Sequence, residues 1–153
     1  MQLQESGEFQ VRASPAVVWA FVTRPEQVAR CLPEVQDIRA HADHAEARVP
    51  VRAGLLRGNL GLRLEVQPDD PAQRVGVRVQ GAGLGSTLTL QAGATLGDNG
   101  DGTTTLRWQG EVQVRGPLAS VGGGRLESRA RALIERTFGN LQTQLNAAGD
   151  TLA

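Results

Sequence analysis

Five successive segments of this chain carry apolar side chains at every second position, and this alternation constrains the fold more than any other feature. Val49, Val51, Ala53 and Leu55 interleave with Arg48, Pro50 and Arg52. Leu60, Leu62, Leu64 and Val66 do so with Arg63, Glu65 and Gln67, and Val75, Val77 and Val79 with Arg74, Arg78 and Gln80. Leu88, Leu90, Ala92, Ala94 and Leu96 follow, then Leu106, Trp108, Val112 and Val114. A period of two over consecutive segments describes antiparallel strands sharing one dry and one wet face. Turn-forming clusters separate them: HADH at 41–44, PDDP at 68–71 and GDNGDG at 97–102.

A one-sided sheet must bury its dry face on another element. The final segment supplies one, because Leu126, Ala130, Leu133, Ile134, Phe138, Leu141 and Leu145 recur at helical spacing in a helix expected to reach about residue 147. Glu127 and Arg131 form an i,i+4 pair on it. Upstream, residues 3–12 read as a strand. Ser14-Pro15 then caps and starts a short helix, and Pro25 opens a second one that Pro33 closes. The expectation is a single α+β domain over residues 1–153 in a helix-grip arrangement. Its curved antiparallel sheet of about seven strands wraps around the long C-terminal helix.

Composition excludes several functions. The 16 basic and 16 acidic residues cancel, so no overall field draws nucleic acid or an anionic membrane. Every basic residue is Arg, which leaves no lysine for Schiff-base chemistry. Cys31 is the single cysteine, so no intrachain disulfide forms and a reducing, cytoplasmic setting is expected. No apolar run approaches the 18 or so residues that span a bilayer, so membrane contact is expected to be peripheral at most.

The glycines in VGGGRLES precede a helix, as phosphate loops do, but GK[ST] is missing and no parallel strand follows. Gly122, Gly123 and Gly124 are expected to act as a hinge that lets the helix swing. Small residues in QGAGLGS at 80–86 and QAGAT at 91–95, with a shortage of aromatics, point to an apolar cavity between sheet and helix. Its expected lining is Trp19, Phe21, Leu62, Leu64, Val77, Val79, Leu88, Leu90, Leu106, Trp108, Val112, Leu126, Ala130, Leu133, Ile134 and Phe138. The inward set, which runs from residue 49 onward, contains no titratable group, so no catalytic residue, cofactor or metal is expected. His41 and His44 flank a turn with Asp43 and read as a solvated hairpin tip rather than a metal site. Cys31 reads as a packed thiol. The arginines Arg48, Arg52, Arg63, Arg78, Arg107 and Arg115 read as the wet face of the sheet, balanced by Glu65 and Glu111.

The stretch FQVRASPAVVWAFVTRPEQVARCLPEV, from Phe9 to Val35, resembles the start of the CoxG family, an accessory component of carbon monoxide dehydrogenase. The matching pieces are Pro15, Val18-Trp19, Pro25-Glu26 and Cys31-Leu32-Pro33, with Glu34 where the family's CLPG-type motif has glycine. Gly116-Pro117-Leu118-Ala119-Ser120-Val121-Gly122, followed by Arg125-Leu126 and Phe138, is similar to the family's approach to its last helix. The resemblance implies a START/SRPBCC fold. It also implies a role beside CO dehydrogenase-type molybdenum hydroxylases, either recruitment or carriage of a lipophilic molecule such as a quinone. The expected function is therefore non-enzymatic binding of a hydrophobic small molecule, lipid or quinone. The alternatives are an accessory factor acting through its surface on a partner hydroxylase, and a cyclase- or hydratase-type enzyme.

Overall fold

The computed structural model describes residues 1–120 and 125–152. Strand β1 (Gln2–Val11) is followed by helices α1 (Pro15–Val22) and α2 (Pro25–Ala29). Six strands succeed them: β2 (Gln36–Ala40), β3 (His44–Ala53), β4 (Leu56–Asp69), β5 (Arg74–Gly83), β6 (Ser86–Asp98) and β7 (Thr104–Arg115). A short helix α3 (Pro117–Ser120) and the long α4 (Arg125–Leu152) complete the chain. The helix runs past the expected end near residue 147, because AAGD is docked rather than frayed. Gly149 lies so close to the turn after β1 that a Cβ there would stand 1.9 Å from the Arg12 carbonyl oxygen.

All seven strands form one antiparallel sheet in the order β1-β7-β6-β5-β4-β3-β2. The two short helices carry the chain from one edge, β1, to the other, β2, and the rest meanders back until β7 pairs with β1. Ser14 caps α1 by accepting from the Val17 N–H at 3.4 Å, and Pro15 occupies its first turn, where a missing N–H is harmless.

Register fixes which residues share the inner face. One row runs Gly7, Trp108, Ala94, Val75; the next runs Glu5, Gly110, Ala92, Val77, Val66; the next Leu3, Val112, Leu90, Val79, Leu64. The alternating segments thus form strands with a shared dry face, with one exception. Leu55 continues the pattern of Val49, Val51 and Ala53 but is 101% exposed. Gly54, at φ 60, turns the chain so that Ala53 pairs with Leu56, and Leu55 is left at the tip. Glu34 also sits in the left-handed region, at φ 58, which is the conformation a glycine in a CLPG-type motif adopts without strain.

Candidate functional site

The inner face divides into two unequal regions. At one end, Val11, Val18, Val22, Cys31, Val75, Leu96, Leu106, Leu141 and Leu145 form a closed cluster that joins β1, α1, the strand ends and the last turns of α4. Burial there pushes the Cys31 thiol up to about 12, and its Sγ lies 3.6 Å from the Gln27 carbonyl oxygen. Asn140 donates to the Cys31 carbonyl at 2.9 Å and pins α4 to the end of α2. At the other end, Leu62, Leu64, Val79 and Val112 are buried, but Val77, Leu88, Leu90, Leu126 and Ile134 are only partly covered. Leu133 on α4 is 45% exposed. Helix α4 lies closest to β1 and α1.

An aromatic stack separates the two regions. Trp108 lies flat over Gly7, where a Cβ would come within 2.8 Å of its ring, and stacks on Phe138 at 3.9 Å and 12°. Glycine in the middle of β1 thus permits an indole to lie flat on the sheet.

One row beyond the stack stands a carboxylate on the inner face. Glu5, with its side chain 22% exposed, pairs with Arg131 Nε at 2.8 Å, and Arg131 also reaches Glu127 at 3.2 Å. The small residues Gly110 and Ala92 leave room for Arg131 to reach across. Glu5 overturns the expectation that the inward set has no titratable side chain. Its signal lies in the sequence, since counting back by twos from Val11 and Phe9 passes through Gly7 to Glu5. An inward set that begins at residue 49 leaves β1 out, and Glu5 with it.

A concavity of about 850 Å³ is lined by Glu5, Arg131, Ala92 and Gly110 and by Gln4, Ser6, Gln91, Gly93, Gln109 and Glu111, six residues whose register positions alternate with the inner rows. A second, of about 380 Å³, is lined by Glu46, Ala47, Gly61, Leu62, Arg63, Gln80, Gly81 and Ala82. Of the residues expected to line a cavity, only Leu62 borders either one. Trp19, Phe21, Leu106 and Phe138 belong with the closed cluster. Leu62, Leu64, Val77, Val79, Leu88, Leu90, Val112, Leu126 and Ile134 are gathered in the more open one. Ala130 is half-buried, and the hinge glycines Gly122, Gly123 and Gly124 lie outside the described residues.

The family model of CoxG, named for its place in carbon monoxide dehydrogenase, matches residues 7–146. The chain belongs to the CoxG family. A search of curated protein sequences finds no match. Among solved structures, a conserved protein from Geobacillus kaustophilus is similar at TM-score 0.78 and 20% identity, over 95% of this chain and 97% of that one. A START superfamily protein from Mycobacterium smegmatis is similar at 0.68 and 17%, over 94% and 97%. The ZhuI aromatase/cyclase from Streptomyces sp. R1128 reaches 0.65 at 12%, over 99% and 93%. Identities this low establish the START-like fold and nothing finer. The family name is that of an accessory component, whereas the fold also serves cyclases. Among the described residues, no helix is long and apolar enough to cross a membrane.

Proposed function

We propose that this CoxG-family chain binds a lipid-like or quinone-like molecule between the N-terminal half of α4 and the sheet, with the polar end of the ligand toward Glu5 and Arg131. The observation that carries this reading is the partial exposure of inward-facing Val77, Leu88 and Leu90, which share an apolar cluster with Leu126 and Ile134 of α4. Apolar surface left half-covered inside a fold is a binding surface by default. Arg131 supplies donors suited to a carbonyl or phosphate oxygen.

Native mass spectrometry of freshly purified protein tests the reading, and a retained hydrophobic adduct is the expected result. Ala92→Phe, which fills the row between Glu5 and Val77, is expected to abolish the adduct while leaving the fold intact. An adduct unchanged in Ala92→Phe overturns the placement. Replacing Gly122–Gly124 with alanine is expected to slow ligand exchange, in keeping with a hinge. The family name supports delivery to, or recruitment of, a CO dehydrogenase-type molybdenum hydroxylase. If the purified protein is empty and co-purifies with such an enzyme, surface-mediated accessory action is the better account.

One observation favours a second reading, catalysis on the bound molecule. Glu5 is an inward carboxylate beside a concavity. Turnover of a bound polyketide-like substrate that disappears in Glu5→Gln is the result that would establish it.

A further inference from the structure

The β2–β3 turn, far from the inner face, brings two imidazoles and a carboxylate together. His41 donates its backbone N–H to the His44 carbonyl at 2.9 Å, which closes the turn and sets the two side chains on the same side. Their rings stack at 4.4 Å and 9°. Glu46 lies two residues beyond His44, on the wet face, since Ala45 and Ala47 take the buried positions. One Glu46 oxygen lies 3.3 Å from His44 Nε2 and the other 3.6 Å from His41 Nε2. All the potential ligand atoms fall within 4.8 Å of one another.

We propose that His41, His44 and Glu46 form a binding site for a divalent transition-metal ion of the zinc class. Ligand bonds of about 2.0–2.2 Å in a tetrahedral site place neighbouring ligand atoms roughly 3.3–3.5 Å apart. The 3.3 Å separation falls in that range and the 3.6 Å one lies just beyond it, each measured to a different Glu46 oxygen.

The surroundings fit as well. Asp43 Oδ1 lies 2.7 Å from His44 Nδ1. A carboxylate on the far nitrogen selects the tautomer that presents Nε2 as a lone pair and raises its basicity. The His44 side chain is only 12% exposed, so its ring is held rather than loose. Two imidazoles with one carboxylate are the donor set that suits zinc and its neighbours rather than calcium or magnesium. Asp43, Glu46 and Glu65 give three negative charges against Arg63 and Arg39, the latter opposite Glu46 across β2–β3, so the group is left net negative. Arg63 is the competitor: its Nη1 lies 3.3 Å from His44 Nε2, while its Nε is held by Glu65 at 2.8 Å.

Calorimetric titration of Zn²⁺ into the tag-free full chain tests the proposal. One-to-one saturable binding is expected, weakened at least about tenfold in His41→Ala, His44→Ala and Glu46→Gln, and about tenfold in Asp43→Asn. Arg63→Ala is expected to tighten it, which a merely structural role for the turn does not predict. Cys31→Ser is expected to leave it unchanged. His41→Gln, altering the more exposed imidazole, serves where His44→Ala disturbs folding as read by circular dichroism. Absence of saturable binding at millimolar zinc overturns the proposal. So does binding that persists in both His41→Ala and Glu46→Gln or vanishes in Cys31→Ser.

Discussion

The two ends of the inner face have the same kind of sequence and different packing. Where α4 ends, Leu145 is 0% exposed, Gly149 touches the turn after β1, and α1 closes the third side. Where α4 begins, Leu133 is 45% exposed, and Val77, Leu88 and Leu90 are incompletely covered. Both ends are lined by Leu and Val at regular spacing. What differs is which helices cover the sheet: α1 and the last turns of α4 close one end, whereas α2 and α3 contribute Ala29 and Leu118 to the other and still leave Val77, Leu88 and Leu90 partly covered. The proposed function uses both, because the closed end holds the helix while the other leaves apolar surface uncovered.

Four measurements bear on this difference, in order of expected effect. The closed end should protect Cys31: raising its pKa from 9.0 to about 12 lowers the thiolate fraction near neutral pH about a thousandfold. Native protein should therefore react with a thiol reagent about that much more slowly than protein in denaturant, as followed by absorbance. Comparable rates would mean that α2 and α4 open readily. Second, Leu145→Ala should lower stability by about 2–5 kcal/mol in chemical denaturation, while Leu133→Ala changes it by less than about 1 kcal/mol. Equal losses at the two positions would erase the comparison.

Third, Gly149→Ala should cost about 1–3 kcal/mol, since its Cβ meets backbone at Arg12 rather than a movable side chain. Helix propensity alone predicts a gain of up to about 1 kcal/mol, so the sign decides whether the end of α4 is docked. The smallest effect should be Glu34→Gly, at the link between α2 and β2. It relieves a left-handed residue at φ 58 and should raise the denaturation midpoint by an amount equivalent to less than about 1 kcal/mol.

Acid should loosen the β2–β3 turn. His44 holds Asp43 and Glu46 below the usual carboxylate range, and Asp43 raises His44 above the ordinary imidazole value. The carboxylate contributions are present above the unfolded carboxylate values and fade as pH falls through the lowered ones. The His44 contribution is present at acidic pH and fades as pH rises through its raised value.

Much of the fold was legible. The two-residue period of Leu60–Val66 and Leu106–Val114, the cap at Ser14-Pro15 and the stripe from Leu126 to Leu145 are local properties, and each formed as its pattern required. Leu55 was not, because alternation continues through a turn as readily as through a strand, and only Gly54 marks the break. The site was less legible. The aromatics expected around a cavity, Trp19, Phe21 and Phe138, pack with the closed cluster, since α1 folds back on α4 at a distance in sequence that no period encodes. The pairing of Glu5 with Arg131 and the approach of His41 and His44 to Glu46 depend equally on which strands and turns become neighbours.

Sequence alone determined the sheet with its one dry face and the helix that must cover that face, because side-chain periodicity is set by backbone geometry residue by residue. Only the tertiary structure decided how far the helix covers it, which carboxylate points inward and which histidines meet. Those outcomes depend on the placement of separate elements in space, and the same apolar pattern is compatible with a filled interior and with an open one.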